Sequence, residues 1–333
     1  MSANDKIPLG RELVTGLGSA LVDILIHESD DFVSETGAAK GGMDLVEEKI
    51  IHEILLKSKA KPTIVPGGSA CNTIIGVCCL GGQGRFVGKC GQDEFGNLFK
   101  EGLKTNQVEP LLFKSVSPTG RVLSVITPDA QRTMYTYLGA SSETAPEEIT
   151  EECFSDSAIV HLEGYLLFNQ NLMLKALESA KKGGAAISLD LASFTVVEQS
   201  KAFLERIVSE YVDILIANED EARAFTGFAD ENDAASALAQ KAEIAVLKVG
   251  KRGSYIAEKG NIIKIEAHGS GEVVDTTGAG DLWASGFLYG MIHGFSFEKC
   301  GKLGSACGYE VCRVIGANIP EQGWDRIRSL VHE

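Results

Sequence analysis

The hydrophobic positions change period along the chain, and the changes mark its elements. Residues 13–26 are almost continuously apolar. Val14-Thr15-Gly16-Leu17-Gly18 and Leu21-Val22-Asp23-Ile24-Leu25-Ile26 predict a strand, a turn and a second strand. From Gly37 to Lys61 the spacing is helical: Met43, Val46, Ile50, Ile51, Ile54 and Leu55 recur on one stripe, with Glu47, Glu48 and Lys49 between them, and Pro62 closes the segment. Residues 73–80 are apolar and small-sided and predict a buried helix behind the turn Pro66-Gly67-Gly68-Ser69-Ala70-Cys71-Asn72. Residues 84–91 predict a strand, and Gly91-Gln92-Asp93-Glu94-Phe95-Gly96 opens the next helix. Two β-rich runs follow at 122–127 and 132–137, joined by Pro128-Asp129-Ala130-Gln131 as a hairpin loop. No helix separates them, so they form an antiparallel β element beside the main sheet.

After Pro146 the pattern alternates. Strands are predicted at 158–162, 185–191, 212–217 and 244–249, and helices at 171–182, 197–210, 220–225 and 234–242. Such alternation implies right-handed β-α-β units, a mostly parallel sheet and helices on both faces. Ligands of that architecture bind at the carboxyl ends of the strands.

Bulk properties narrow the function. The chain has 333 residues, 44% hydrophobic and 23% charged, which suits one large α/β domain. A net charge of −15 argues against nucleic acid or an anionic membrane as the main partner. It leaves nucleotide binding open, since one nest of backbone amides holds phosphate on an acidic protein. No apolar stretch reaches the length of a membrane span, and residues 1–11 carry no signal-peptide core. The eight cysteines form no C-x-x-C pair, which fits reduced core residues of a cytosolic protein rather than a metal cluster.

The densest candidate chemistry is Asp275-Thr276-Thr277-Gly278-Ala279-Gly280-Asp281, in front of the apolar, buried-helix stretch 282–291. A Gly-Ala-Gly turn at a helix start offers free N–H groups and the positive end of the helix dipole to an anion. A carboxylate there repels phosphate, but it makes sense if Asp281 takes a proton from a hydroxyl that attacks phosphorus. Taken alone, Asp281 reads equally as a helix cap. Asp23 inside an apolar run needs a partner or a polar ligand, unless it faces solvent from an alternating strand. Asn72 sits in the first turn of its helix, within reach of ligand hydroxyls or of its own backbone. Asn218-Glu219-Asp220-Glu221, at a strand end, suits water-mediated Mg²⁺ binding or plain helix capping. Lys248-Val249-Gly250-Lys251-Arg252-Gly253 suits a nucleotide-facing turn or a surface turn. Gly16-Leu17-Gly18 lacks the third glycine of a dinucleotide fingerprint, and no Gly-x-x-x-x-Gly-Lys-Ser/Thr occurs, so dehydrogenase and P-loop readings are poor.

Order and combination make these signals specific. The chain resembles the PfkB carbohydrate kinase, or ribokinase-like, family from about Val14 to Pro320. The N-terminal signature is matched by residues 65–72 through 88–96, the Asn-x-x-Glu motif by 218–221, and the C-terminal signature by 275–281. The resemblance implies a three-layer α/β fold in a single domain spanning 1–333, with a small β lid built from segments near 17–36 and 110–140. It implies ATP-dependent transfer of the γ-phosphoryl group to a hydroxymethyl oxygen of a sugar or nucleoside, in the cytoplasm, by a monomer or homodimer. Asp281 is then the general base, and Gly278, Ala279 and Gly280 form the anion hole. Asp23, Gly67, Gly68 and Asn72 hold substrate hydroxyls, with Arg132 on the lid reaching a phosphate or the substrate. Asn218 and Glu221 organise Mg²⁺ and phosphates, Glu221 through water, while Lys248, Gly250 and Gly253 border the nucleotide. Asp275 and Thr277 are the counterpart of a monovalent-cation (K⁺) site. The spacing between Asp23 and Gly67, filled by the helix expected over Met43 to Leu55, resembles the adenosine-kinase-like branch, as does the Arg132 to Ala140 stretch, which ends Tyr137-Leu138-Gly139-Ala140. The alternatives are ribokinase-, fructokinase- or 2-keto-3-deoxygluconate-type sugar kinases. A catalytically silent homologue is the non-enzyme alternative, disfavoured because Asp281 and its glycines are present.

Overall fold

A computed structural model of the chain describes residues 6–129 and 131–331, so Met1–Asp5 of the polar N-terminus and Ala130 of the hairpin loop lie outside the described residues. The strands are β1 (Leu13–Leu17), β2 (Leu21–His27), β3 (Met43–Leu45), β4 (Thr63–Gly67), β5 (Gln83–Gly91), β6 (Val108–Ser115), β7 (Gly120–Ile126) and β8 (Arg132–Tyr137). They continue with β9 (Ser157–Glu163), β10 (Ala186–Asp190), β11 (Ile214–Asn218), β12 (Ile244–Lys248), β13 (Ser254–Glu258) and β14 (Asn261–Ile265). The helices are α1 (Asp30–Thr36), α2 (Glu48–Lys57), α3 (Ser69–Cys79), α4 (Glu94–Thr105), α5 (Gln170–Gly183), α6 (Phe194–Tyr211), α7 (Glu219–Thr226), α8 (Glu231–Ala239), α9 (Ala279–Ile292), α10 (Phe297–Val311) and α11 (Glu321–Val331).

A nine-stranded sheet has the order β14-β13-β12-β11-β10-β9-β1-β5-β6. It is parallel from β12 to β6, and β13 and β14 close one edge as an antiparallel hairpin. One face packs on α5 to α8 through Met173, Leu204, Phe225 and Leu238. The other packs on α3 and α9 through Ile74, Val77, Trp283 and Phe287. Helices α3 and α9 approach closely because Gly76 has no Cβ to strike Ser285. Among the described residues no helix is long and apolar enough to cross a membrane.

A second sheet, β3-β8-β7-β2-β4, stands over the carboxyl ends of the first. Its hairpin β7–β8 is antiparallel, as its spacing predicts, and it also takes in β3 and β4 from outside the expected segments. α1 and α2 back it through Val33, Ile51 and Ile54, packed on Ile24, Leu123 and Tyr135.

The structure departs from the sequence expectations at three places. The helix expected over 37–61 begins only at Glu48, because Met43–Leu45 pairs with Met134–Thr136 as an edge strand. Sheet pairing there outweighs periodicity, as tertiary context does for short segments. An unexpected helix, α1, lies just before it: Ser29 Oγ accepts from Phe32 N, Asp30 and Asp31 suit the dipole, and Gly37 ends it at φ 80°. The third is the β13–β14 hairpin, where Lys259 and Gly260 both take positive φ, as a two-residue primed turn requires.

Candidate active site

Four adjacent parallel strands end in a polar residue on the same sheet face: Glu163 on β9, Asp190 on β10, Asn218 on β11 and Lys248 on β12. Two helix starts, α3 and α9, meet above this row. Gly278, at φ 70°, caps α9. The helix start leaves the N–H groups of Gly280 and Asp281 without intrahelical acceptors, whereas Ala279 N is spent on Thr276 O at 3.2 Å. The open amides of this turn are therefore those of Gly280 and Asp281.

The Asp281 carboxylate points at α3. Its Oδ1 accepts from Ser69 Oγ at 2.8 Å and its Oδ2 from Asn72 Nδ2 at 3.0 Å, while Thr73 Oγ1 holds its backbone carbonyl at 3.1 Å. Two of about four lone-pair sites are thus used, and the rest are free to take a proton. Enclosure in the cleft raises the pKa of Asp281 against those two hydrogen bonds, in the direction that suits a general base.

Asp23 faces the same cleft from β2. Burial pushes its pKa up to about 7, with Arg132 opposing and Asp281 and Asp275 adding to the rise. A Cβ on Gly67 would overlap the Asp23 carboxylate, and one on Gly68, at φ 96°, would strike the Ser19 carbonyl. The Gly-Gly turn is therefore demanded by close approach and by backbone conformation alike.

Lys248 Nζ bonds Asp190 Oδ2 at 2.7 Å and lies 3.0 Å from where a Cβ on Gly280 would stand, beneath the anion turn. Burial opposes its charge, but Asp190, Glu221 and Asp281 outweigh it and raise its pKa. Asn218 and Glu221 make a complete capping box: Asn218 Oδ1 accepts from Glu221 N at 2.9 Å, and Glu221 accepts Asn218 N at 2.8 Å and Nδ2 at 2.7 Å. Glu221 is nonetheless buried beside Asp190, and burial raises its pKa. The capping reading is realised, and the same carboxylate faces the cleft charges.

Arg132, on β8, reaches Asp275 Oδ1 with Nε at 3.2 Å. Asp275 also accepts Thr277 N at 2.9 Å, the Thr277 hydroxyl, and Gly316 N at 2.8 Å. Gly250 and Gly253 follow β12. Gly253 serves its own hairpin, since a Cβ there would overlap the Ile265 carbonyl, while nothing crowds Gly250.

The sequence reading passed over Glu163, Asp190 and the role of Ser69. Glu163 is 1% exposed and accepts Ser19 N at 2.8 Å and Ala70 N at 3.1 Å, tying the first β-turn to the start of α3. Burial pushes its pKa up to about 7. The available signal was a polar last residue on an otherwise buried strand, repeated on four strands.

These shifts have two consequences. Folding raises the pKa of Asp23 and Glu163 above the ordinary carboxylate range, so the folded chain binds more protons than the unfolded chain between about pH 4 and 7. Their stabilisation is full below the unfolded pKa and is lost as pH rises through about 7. The Tm of the ligand-free protein is expected to fall across that window in a calorimetric pH series, and less steeply in Glu163→Gln. In turnover, acceptor kcat/KM is expected to drop as pH falls below about 7, as Asp23 takes up a proton. An acid limb centred near the ordinary carboxylate value would contradict this placement of Asp23.

A parallel-sheet cleft with a carboxylate beside free helix-start amides, covered by a second sheet, defines a small-molecule kinase of ribokinase-like architecture. The family model described as pfkB family carbohydrate kinase matches residues 36–323, and the chain belongs to that family. It is a phosphotransferase with an alcohol group as acceptor. A 5-dehydro-2-deoxygluconokinase of Geobacillus thermodenitrificans is 29% identical over 256 residues, covering 72% of this chain and 76% of the relative. The crystal structure of adenosine kinase from Sinorhizobium meliloti shares 30% identity at a TM-score of 0.88, covering 96% of this chain and 100% of that one. A probable sugar kinase from Rhizobium etli shares 31% at a TM-score of 0.88, covering 96% and 98%.

Proposed function

We propose that the chain transfers the γ-phosphoryl group of ATP to a hydroxymethyl oxygen of a nucleoside of the adenosine type, with Asp281 as general base. The observation that carries this is the Asp281 carboxylate, fixed by Ser69 and Asn72 at the open start of α9. The acceptor hydroxyl gives its proton to Asp281 as its oxygen attacks phosphorus. The N–H groups of Gly280 and Asp281, with Lys248 below, stabilise charge on the transferring group. Asp23, the Gly67–Gly68 turn and Asn72 hold the remaining hydroxyls. Asn218, Gly250 and Gly253 border the nucleotide. The oxygens of Asp190, in the strand-end row, and of Glu221, beside it in the first turn of α7, would suit a hydrated Mg²⁺, which would neutralise phosphate charge there.

The second sheet acts as the lid of a single domain, with β3 and β4 added to the segments near 17–36 and 110–140. Its cross-strand row Leu45, Thr136, Val122, Asp23, Val65 sets apolar side chains on both sides of the hydroxyl-binding Asp23. Such a wall suits a planar base beside a ribose more than a ring of hydroxyls. A second reading, a sugar-acid acceptor like that in the name of the Geobacillus relative, is favoured by Arg132, whose charge acts on Asp23. All eight cysteines are free thiols, consistent with a reducing cytoplasm.

A phosphorylation screen with Mg-ATP tests the acceptor: adenosine, other nucleosides, ribose, fructose, 2-keto-3-deoxygluconate and 5-dehydro-2-deoxygluconate. Turnover of adenosine above the free sugars is expected. Turnover confined to sugars or sugar acids would overturn the nucleoside preference.

A further inference from the structure

Asp275 is matched to a monovalent-cation site by its motif, but its surroundings leave such an ion no room on the carboxylate. The side chain is 0% exposed. A buried carboxylate needs a counter-charge and donors for about four lone-pair sites. Thr277 N, the Thr277 hydroxyl and Gly316 N donate to it, and Arg132 Nε stands 3.2 Å from Oδ1 as an ion pair. Arg132 brings the positive charge, and among the described residues Asp275 is its ion-pair partner. A cation bound to the Asp275 oxygens would have to displace Arg132.

We propose that the Arg132 guanidinium supplies, tethered to the lid, the positive charge that a diffusible monovalent cation would otherwise supply at Asp275, so that turnover does not depend on K⁺. The tether also has a mechanical consequence. Arg132 is the first residue of lid strand β8, and Asp275 lies three residues before Gly278 of the anion turn. Asp275 in turn holds Gly316 N, and a Cβ on Gly316 would stand 2.9 Å from Leu25 Cδ1 of lid strand β2. The lid therefore meets the loops behind the anion turn twice, once by charge and once by packing. Arg132 is a positioning residue: it acts on the turn through Asp275, and it sets the field at Asp23 alongside Asp275 and Asp281.

This inference rests on the kinase reading for its turnover arm only. The experiment replaces choline chloride with KCl at constant ionic strength and follows two readouts: the Tm of the ligand-free protein, and kcat with Mg-ATP and the best acceptor. For the wild-type chain both are expected to be flat. Arg132→Met keeps the stem and removes the charge. It is expected to lower kcat by at least about tenfold and to acquire a Tm and a kcat that rise with KCl but not with choline. A wild-type Tm or kcat that climbs with KCl overturns the proposal, as does an Arg132→Met protein as indifferent to KCl as the wild type. Should that variant fold poorly, the wild-type titration decides alone. The thermal arm needs no acceptor, so an empty acceptor screen would count against the kinase reading while the Tm series still decided the role of Arg132.

Discussion

Asp281→Asn is expected to lower kcat by about 10²–10⁴-fold, the usual contribution of a positioned general base. The substitution is nearly isosteric. Its amide oxygen still accepts from Ser69 or Asn72, so the start of α9 and its open N–H groups persist. Nucleotide affinity in the absence of acceptor should therefore hold or tighten slightly, because one negative charge leaves the phosphate region. Rapid-quench turnover and calorimetric titration of ATP separate the two effects. Loss of turnover with binding retained marks a catalytic role; loss of both marks a structural cap. Turnover near the wild-type rate would sink the assignment.

Lys248→Met is expected to cost about 3–5 kcal/mol of stability, the range for breaking a buried ion pair by removing one partner. Asp190 is left with its carboxylate 6% exposed and no cation at 2.7 Å, and Glu221 and Asp281 lose the same counter-charge. The denaturation midpoint reports the loss. The double variant Lys248→Met with Asp190→Leu is expected to recover part of it, since removing both charges also removes the desolvation penalty. Full recovery of stability without recovery of kcat would place the role of Lys248 under the anion turn, as its approach to Gly280 suggests. A single-variant loss below about 1 kcal/mol would mean that solvent already screens the pair.

Much of this cleft was legible one motif at a time. The Gly278 turn, the Gly67–Gly68 turn and the Asn218–Glu221 cap are short-range devices whose residue types follow from a positive φ, a close approach or a helix start. The strand–helix alternation after Pro146 gave the parallel sheet and so the end at which ligands bind. Asp23 was ambiguous between solvent and cleft, and the structure turns it into the cleft, where burial pushes its pKa up. Glu163 and Asp190 escaped notice because each is a single acid at the end of a buried strand, with nothing beside it in sequence to mark it. Their partners, Ala70 and Lys248, are 93 and 58 residues away.

The sequence by itself determined much of the local frame: the alternating strands and helices after Pro146, the buried helices behind the two glycine turns, and where only glycine fits. Backbone sterics and hydrogen bonding within a few residues decide those matters, so they are written locally. Only the tertiary structure decided that Ser69 and Asn72, 212 and 209 residues from Asp281, hold its carboxylate. It alone decided that Met43–Leu45 is an edge strand, and that Arg132 rather than open space faces Asp275. These outcomes depend on burial and on charges brought together by folding. The cost of an unpaired carboxylate exists only once the chain has taken it out of water.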